Sequence, residues 1–408
     1  MRPQTSTALV HHPYQPPGGF AAPQPPVHKA STVFFPDVAA LRERDWRFKN
    51  GYTYGLHGTP STFALEERLC TLEGGQQCVL VPSGLAAIAN TSFALLSAGD
   101  EVLIPANAYG PNLALAQGEL QRYGISYQIY EPLDVADLAA RIHSRTRLVW
   151  LEAAGSVTME FPDLPALVRL CRQRGVLTAL DNTWGAGLAF CPFDLQPASE
   201  SGLGVDISVH ALTKYPSGGG DVLMGSIITR DESLHLKIKA THMRLGLGVG
   251  ANDVEAIVRG LPSMALRYDA QDAAARSLAR WLATQPQVAQ VLHPALPGSP
   301  GHAHWRALCC TQGPIGQADV GRAAGLFSVI FDARYSGAQV DAFCDALRLF
   351  RLGYSWGGPI SLVVPYDLSA MRPSWPVALA RGTLVRFSLG LEDQADLQAD
   401  LAQALQRL

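Results

Sequence analysis

Asp206-Ile-Ser-Val-His-Ala-Leu-Thr-Lys-Tyr-Pro-Ser-Gly-Gly-Gly-Asp-Val-Leu-Met-Gly225 is the stretch on which our interpretation of the fold depends. It begins as a short, mostly apolar strand, and Lys214 follows just past the end of that strand. Three glycines and a second apolar run come next. Lysines at such positions are less solvated than lysines on exposed helix faces, and buried lysines readily become neutral amines that suit Schiff-base chemistry. We therefore hypothesise that Lys214 binds a carbonyl cofactor.

Apolar runs alternate with helical patterns on both sides of this stretch. The runs predict seven strands, at Cys78–Val81, Glu101–Ile104, Ser126–Tyr130, Leu148–Leu151, Val176–Leu180, Ile207–His210 and Ser226–Thr229. The helical patterns include Pro60–Gly75, Gly84–Leu95, Asn112–Tyr123 and Leu164–Arg174. Continuous apolar strands between helices predict a mostly parallel sheet covered on both faces. Ligands of such sheets bind at the carboxyl ends of the strands.

Three parts are expected along the 408 residues. Residues 1–60 lack periodicity and are rich in proline, glycine and aromatic residues, so we expect an extended arm that packs on another surface, such as a second subunit. Residues 61–262 are expected to form a large α/β domain that holds the seven strands. Residues 263–408 are expected to form a smaller α+β domain, with helices at Tyr268–Thr284, Gly337–Phe350 and from Asp393 onward, and strands at Gly325–Asp332 and Gly382–Gly390.

The composition excludes several classes of function. A formal net charge of −3, with no basic run that alternates with aromatic residues, gives no reason to expect nucleic acid or an anionic membrane as a partner. No apolar stretch approaches the ~18 residues of a membrane span, and the N-terminus does not resemble a signal peptide. The seven cysteines form no Cys-x-x-Cys pair, and their odd number argues against a disulfide framework. We expect no metal site and a cytoplasmic location.

A small-residue turn, Ser83-Gly84-Leu85, joins the first strand to the helix that follows it. Free backbone N–H groups at a helix start suit a phosphate, and a glycine lets the phosphate approach closely. Taken alone, however, this segment is explained better by an ordinary N-cap serine with a packing glycine than by a phosphate site.

Asp181 ends a central apolar strand, as Lys214 follows another. An isolated aspartate at this position is usually the cap of a turn or a helix. Together, however, an acid at one strand end and a lysine at another are the pair that a pyridoxal phosphate site requires, because the acid keeps the pyridine nitrogen protonated while the lysine forms the Schiff base. Thr213 could hydrogen-bond the phosphate.

Three further segments carry candidate side chains. Tyr109 follows the second strand and could lie flat on a cofactor ring or be a core aromatic residue. Ser355 and Trp356 belong to a Gly-rich turn in the small domain, which could equally be a tight turn with a packed tryptophan. Arg386 lies within an apolar strand, where its partner is either a substrate carboxylate or a structural one.

Several longer motifs occur along the chain in a fixed order: Pro25-Pro-Val-His-Lys-Ala-Ser-Thr-Val-Phe-Phe, Tyr54-Gly-Leu-His-Gly-Thr-Pro, Leu72-Glu-Gly-Gly, Asp181-Asn-Thr-Trp, Ala211-Leu-Thr-Lys-Tyr, Val291-Leu-His-Pro-Ala-Leu-Pro-Gly and Leu384-Val-Arg-Phe-Ser-Leu-Gly-Leu-Glu-Asp. Through them the chain resembles the Cys/Met-metabolism family of pyridoxal-phosphate enzymes, fold type I, over nearly its whole length. The segments Leu151–Glu160 and Tyr354–Gly358, with Ala211, are most similar to members of the bacterial cystathionine β-lyase type.

The resemblance implies a transferase-like fold type I architecture, pyridoxal 5′-phosphate as cofactor and a small amino acid as substrate. It also implies a homo-oligomer, at least a dimer with shared sites and commonly a tetramer. The roles that it implies are these: Lys214 as Schiff-base lysine and proton shuttle, Asp181 on the pyridine nitrogen, Tyr109 stacked on the ring, Ser83, Gly84, Leu85 and Thr213 around the phosphate, Tyr54 reaching a neighbouring subunit's site, and Arg386 and Ser355 on the substrate carboxylate with Trp356 alongside.

Two positions depart from the family pattern. Many members have a phosphate-binding serine where this chain has Ala211. The family usually has an arginine two residues after the tyrosine, where this chain has Leu56 followed by His57. Either His57 compensates, or the phosphate has one charge partner fewer. Residues 193–204 form an apparent insertion, which we expect to be a surface loop.

The activity expected from the resemblance is that of a C–S β-lyase. Such an enzyme cleaves cystathionine or a related S-substituted cysteine to a thiol, pyruvate and ammonia. A γ-acting relative (a synthase, or a γ-lyase for methionine, cystathionine or another γ-substituted amino acid) is the alternative, because the same residues can run that chemistry. A non-catalytic binding protein on the same fold is a third hypothesis, which intact Lys214, Asp181 and Tyr109 disfavour.

Overall fold

The larger of two β-sheets contains the seven predicted strands. The computed structural model describes residues 4–11, 14–15, 17–19, 21–196, 199–310, 321–372 and 374–408. The strands are β1 (Gln77–Val81), β2 (Glu101–Pro105), β3 (Ser126–Tyr130), β4 (Thr146–Glu152), β5 (Leu177–Asp181), β6 (Ile207–Ala211) and β7 (Gly225–Thr229). Their order across the sheet is β1-β7-β6-β5-β4-β2-β3, and β7 runs antiparallel to both of its neighbours. The other neighbouring strands pair in parallel, as predicted.

A second sheet of five strands lies in the C-terminal part of the chain. Its strands are β8 (Val288–Leu292), β9 (Leu326–Phe331), β10 (Arg351–Leu352), β11 (Leu362–Tyr366) and β12 (Leu384–Ser388), in the order β10-β11-β12-β9-β8. Only β9 and β12 were expected from the sequence, because the other three strands have weak apolar patterns. A cluster of aromatic rings, Phe327, Phe343, Phe350 and Phe387, packs on this sheet and fixes the strand that carries Arg386.

Fourteen α-helices accompany the sheets among the described residues. They are α1 (Thr5–Val10), α2 (Val38–Glu43), α3 (Pro60–Glu73), α4 (Gly84–Leu95), α5 (Gly110–Leu115), α6 (Val135–Arg141), α7 (Leu164–Arg174), α8 (Glu232–Leu245), α9 (Ala251–Gly260), α10 (Met264–Leu282), α11 (His302–Cys309), α12 (Gly337–Ala346), α13 (Leu368–Met371) and α14 (Gln394–Ala404). The bounds of α4 and α7 are those predicted.

Local capping interactions explain why α3 and α4 begin at the residues that the sequence predicts. At the start of α3, the side chains of Thr59 and Thr62 each accept a hydrogen bond from the backbone N–H of the other, and Pro60 occupies the first turn. Gly74 ends that helix in the left-handed conformation, at φ +79°. Ser83 caps α4 by accepting a hydrogen bond from the Ala86 N–H at 3.0 Å. These short-range signals place the helices before any tertiary contact is considered.

Apolar residues cover both faces of the large sheet. Val79, Val102 and Val209 belong to the cluster on one face, together with residues of α4 and α8. Leu80 and Leu180 belong to the cluster on the other face, which extends toward α3, α7 and α9. The carboxyl-terminal edge of the sheet is thereby held between two packed layers.

Three expectations about local structure differ from what is observed. The arm contains the six-residue helices α1 and α2, so it is more regular than predicted; its residues 1–3, 12, 13, 16 and 20 lie outside the described residues. The predicted helix Asn112–Tyr123 is present but not uniform: α5 continues without a break into a wider, π-type helical turn at Ala116–Leu120. The presumed surface loop 193–204 buries its apolar side chains Phe193, Leu195 and Leu203, so it contributes to the core; residues 197 and 198 lie outside the described part.

Candidate functional site

A cavity of about 170 Å³ lies at the carboxyl-terminal edge of the large sheet. Strand ends and the turns that follow them supply most of its wall. Its lining residues include these predicted site residues: Ser83, Gly84, Leu85, Tyr109, Asp181, Thr213, Lys214 and Trp356. The structure therefore brings together predicted residues from five separate segments of the chain.

Lys214 projects into this cavity from the turn after β6. Its Nζ atom donates a hydrogen bond to Ser355 Oγ at 2.9 Å and lies 4.2 Å from the centre of the Trp356 ring. Burial lowers the pKa of Lys214 to about 8, the positive charge of Arg386 acts in the same direction, and Asp181 opposes both. The amine is therefore far closer to its neutral form at physiological pH than an ordinary lysine, as covalent chemistry with a carbonyl requires.

Asp181 ends β5 and faces the same cavity. One of its oxygens accepts a hydrogen bond from the Thr183 N–H at 3.0 Å, and Thr183 Oγ1 in turn accepts one from the Ala211 N–H at 2.9 Å. Burial raises the pKa of Asp181, whereas the Thr183 hydrogen bonds and the charges of His210 and Lys214 lower it. The turn after β5 is thus tied to the strand that leads to Lys214.

The start of α4 forms the part of the wall that suits a phosphate. No described residue accepts a hydrogen bond from the backbone N–H groups of Gly84 or Leu85, and both residues line the cavity. A Cβ atom on Gly84 would lie 2.6 Å from Ala211 Cβ, so only glycine fits there. Ser83 is also the N-cap of α4. The cap uses the Ala86 N–H, so the Gly84 and Leu85 N–H groups are still available to a phosphate, and both interpretations of this segment are compatible. Thr213 adds a hydroxyl to the same wall.

Arg386 lies in β12 with 4% of its surface exposed. Its Nη1 donates to the Ser156 carbonyl oxygen at 3.0 Å, and its guanidinium lies 5.2 Å from the Trp356 ring centre and 5.3 Å from that of Tyr366. No carboxylate among the described residues forms an ion pair with it, so a structural carboxylate partner is not found there. Burial lowers the pKa of Arg386, and the guanidinium keeps donors that can bind a carboxylate.

Ser355 adopts a backbone conformation that non-glycine residues rarely use, with φ at 118°. Two residues later, Gly357 has φ +76°, and a Cβ atom there would lie 2.9 Å from the Tyr215 backbone nitrogen. The turn is therefore pressed against the segment that carries Lys214. Strained positions of this kind cluster at functional sites, because the surrounding structure must hold them in place.

The two predicted tyrosines lie in different surroundings. Tyr109 precedes α5, lines the cavity and is 37% exposed. Tyr54 is 47% exposed, packs edge-on against His57 and is not among the residues that line the cavity of its own chain. The His57 ring is engaged within its own loop, since Nδ1 pairs with Thr53 Oγ1 at 2.7 Å.

Sequence reasoning missed Glu152 and Thr183. Glu152 is the last residue of β4, and Asp181 is the last residue of β5. The strand-end position that singled out Asp181 was therefore available for Glu152 too. It was hidden because the predicted strand stopped one residue earlier.

Among the described residues, no group of three or more His, Cys, Asp and Glu side chains could hold a metal ion. In the same part, no helix combines the length and the apolar character that crossing a membrane requires. The cavity instead offers a lysine with a lowered pKa, a partly buried acid and free N–H groups at a helix start. This donor set fits an aldehyde, a protonated ring nitrogen and a phosphate, which are the three reactive parts of pyridoxal phosphate.

The fold and the site together define a pyridoxal-phosphate enzyme of fold type I. The profile of the family described as "Cys/Met metabolism PLP-dependent enzyme" matches residues 6–406, and the chain belongs to that family. The predicted family, fold class and cofactor are thereby confirmed.

Relatives with named activities match over most of their length. Cystathionine β-lyase of Bordetella avium is 37% identical over 401 residues, which cover 97% of this chain and 95% of the relative. Cystathionine β-lyase of Salmonella typhimurium is 35% identical over 388 residues, which cover 94% and 93%. A solved structure, cystathionine γ-lyase from Lactobacillus plantarum complexed with L-serine, superposes with a TM-score of 0.79 at 25% identity and covers 94% of this chain and 93% of that one.

Proposed function

We propose that this protein is a C–S β-lyase that cleaves cystathionine, or a related S-substituted cysteine, to a thiol, pyruvate and ammonia. One observation carries the proposal: a lysine with a lowered pKa and a partly buried acid face one cavity beside an arginine that lacks a carboxylate partner among the described residues. The named activity of the Bordetella and Salmonella relatives supports the choice of β-elimination.

The residues that would hold the cofactor are those of the cavity wall. Lys214 would carry it, Asp181 would keep the ring nitrogen protonated, Tyr109 would cover the ring, and the Gly84 and Leu85 N–H groups with Thr213 would take the phosphate. When bound, pyridoxal phosphate supplies an electron sink for the charge that develops at the substrate Cα. Asp181 would strengthen this electron sink by keeping the ring nitrogen protonated.

Proton transfer is the task of Lys214. Because its pKa is lowered to about 8, its neutral form is reached far more readily near neutral pH than that of an ordinary lysine, and this form can take the Cα proton of a bound amino acid. The protonated amine that results is stabilised by Asp181 and can donate to Ser355 Oγ. The protonated amine then gives this proton to the departing sulfur as the Cβ–S bond breaks, so that a thiol leaves and the Lys214 amine is neutral again. Water converts the remaining three-carbon fragment to pyruvate and ammonia.

Substrate orientation is the task of the small domain. The Arg386 guanidinium would bind the substrate carboxylate, with Ser355 as a second donor and Trp356 as the adjacent wall. Lys214 Nζ and the Arg386 guanidinium lie 4.2 Å and 5.2 Å from the centre of the same Trp356 ring. A substrate carboxylate on Arg386 would therefore hold its Cα near the Lys214 amine.

γ-Elimination or γ-replacement is the second candidate activity. The likeness to the solved L. plantarum γ-lyase favours it, and the described residues can also remove the extra Cβ proton that γ chemistry needs. Identification of the keto acid formed from cystathionine separates the two. Pyruvate with homocysteine supports the β-lyase, and 2-oxobutyrate with cysteine supports the alternative. A panel of S-substituted cysteines and methionine then defines the preferred substrate.

We also infer that the protein is a cytoplasmic homo-oligomer. Its basic unit would be a dimer with shared sites, and two such dimers would form a tetramer. Tyr54, Tyr52 and the 93%-exposed Phe34 present aromatic surface that a second subunit would cover. Mixing Lys214→Ala with Tyr54→Phe subunits after mild dissociation tests the shared site. Activity regained by the mixture supports the shared site. If ultracentrifugation shows that the two variants assemble with each other but the mixture stays inactive, the shared site is contradicted.

A further inference from the structure

Two acids stand side by side at the edge of the large sheet. Glu152 ends β4, Asp181 ends β5, and the two residues are paired in register. Neighbouring strands lie about 4.8 Å apart, so in-register side chains on one face are direct neighbours. Both residues line the cavity, and they are its only acidic lining residues in the described part of the chain.

The contacts of the two carboxyl groups differ. Asp181 accepts a hydrogen bond from Thr183 and feels the positive charges of Lys214 and His210. Glu152, which is 7% exposed, accepts a hydrogen bond from the Tyr109 backbone N–H at 2.7 Å. The cation that acts on Glu152 is Arg372, and it is already bonded to Glu160 at 2.5 Å.

Carboxyl groups in neighbouring in-register positions disfavour each other's charge, and burial disfavours the charged form of both. The one that ionises is the one with positive charges nearby. Burial, together with the charge of Asp181, holds the pKa of Glu152 well above its ordinary value. Asp181 is therefore the carboxylate of the pair, and Glu152 keeps its proton.

We propose that Glu152 is a positioning residue that works as a neutral acid: it anchors the Tyr109 backbone and leaves Asp181 as the single negative charge of the cavity. This inference rests on the proposed function, since it concerns how the cofactor-facing residues are held. The Oε2 atom fixes the residue that starts the turn into α5, and hence where the Tyr109 ring lies. The neutral state prevents a second negative charge beside the Asp181 carboxylate.

The test replaces Glu152 by residues that keep or remove each property. Glu152→Gln keeps length and an acceptor oxygen but has no charge, whereas Glu152→Asp keeps the acid but is too short to reach Tyr109. We expect Glu152→Gln to retain kcat and cofactor affinity within about threefold, as for a conservative polar replacement. We expect Glu152→Asp to lose about tenfold in kcat, because the buried Tyr109 N–H loses its acceptor.

A second readout does not depend on activity. The infrared spectrum of the apo-protein at neutral pH should contain a protonated-carboxyl C=O band that disappears in Glu152→Gln and remains in Asp181→Asn. Absence of that band from the wild-type spectrum overturns the inference, as does a Glu152→Gln variant as impaired as Glu152→Asp. If instead the wild-type protein neither binds pyridoxal phosphate nor releases a keto acid, the proposed function has failed, whatever the infrared band shows.

Discussion

Glu73 is fully buried and Asp181 is partly buried, and the two acids lie against opposite faces of β6. In β6, Ser208 and His210 face Glu73, and side chains alternate along a strand, so Val209 and Ala211 face the other way. Asp181 pairs in register with Val209 and therefore shares the face of Val209 and Ala211, on which the cavity lies.

The surroundings of Glu73 saturate its carboxylate. It is fully buried at the end of α3 and accepts hydrogen bonds from His210 Nδ1 at 2.9 Å, from Asn182 Nδ2 at 3.2 Å and from Ser208 Oγ. These donors tie α3 to β6 and to the turn after β5. Glu73 is not among the described residues that line the cavity, so a ligand in the cavity would not contact its carboxylate.

Asp181 accepts a hydrogen bond from Thr183 and has an open side toward a cavity that also holds Lys214. The difference teaches how to separate structure from chemistry in this molecule. A buried acid whose oxygens are all engaged by the protein holds elements together. A buried acid with spare acceptor capacity beside a near-neutral amine awaits a ligand.

The largest expected effect comes from the cavity face. Lys214→Ala should lower kcat by about 10⁴-fold, because the group that moves the Cα proton is lost. The matched control is Lys239→Met, since Lys239 is also a buried lysine but contacts the Arg47 carbonyl oxygen instead of the cavity. Steady-state kinetics with cystathionine measure both. Comparable losses in the two variants would mean that burial of a lysine, not its place in the cavity, matters.

Asp181→Asn should lower kcat by about 10²- to 10³-fold while the melting temperature stays near that of the wild type. The asparagine keeps the acceptor for the Thr183 N–H but removes the negative charge. Kinetics and thermal unfolding on the same preparation measure the two quantities. A variant that loses stability but keeps its kcat would place Asp181 with Glu73 as a structural acid.

Glu73→Ala should have the opposite profile. Removing the acceptor leaves buried donors of His210, Ser208 and Asn182 unpaired, which should lower the free energy of unfolding by about 3 kcal/mol. The folded fraction should keep its kcat within about threefold. Urea unfolding and active-site titration check these values. A stable variant with a strongly reduced kcat would contradict the division between the two faces.

The smallest expected effect is a shift in pH dependence. Addition of pyridoxal phosphate to the apo-protein needs the neutral amine of Lys214, so its rate should fall about tenfold per pH unit below a pKa of about 8 and level off above it. Arg386→Gln removes a positive charge that lowers this pKa, so the inflection should move to higher pH. Stopped-flow absorbance records both profiles. An unchanged inflection in Arg386→Gln would show that Arg386 exerts no such influence.

Strong local signals made much of the fold predictable from the sequence. The seven strands of the large sheet and the helices Gly84–Leu95 and Leu164–Arg174 have clear apolar runs, caps and stops. The weak strands β8, β10 and β11 were missed, because their pairing is decided by the neighbouring β9 and β12 rather than by their own residues.

The candidate site was predictable to the extent that its residues follow strands. Lys214 and Asp181 stand at strand ends, and strand ends meet at one edge of a parallel sheet. Glu73 could not be separated from ordinary acids by local sequence, since its partner Ser208 lies 135 positions away in the chain. Glu152 stands at a strand end as Asp181 does, but its contact with the Tyr109 N–H, 43 positions away, could not be predicted. The particular roles of Tyr54, Ser355 and Arg386 stay predictions that the substitution experiments address.

The most direct test of the central claim is to locate the cofactor on the chain. The protein is incubated with pyridoxal phosphate, reduced with borohydride, digested and analysed by mass spectrometry. The account predicts that the reduced cofactor is attached to Lys214 and that Lys214→Ala protein carries none. Attachment to a different lysine, or no attachment to the wild-type protein, would contradict it.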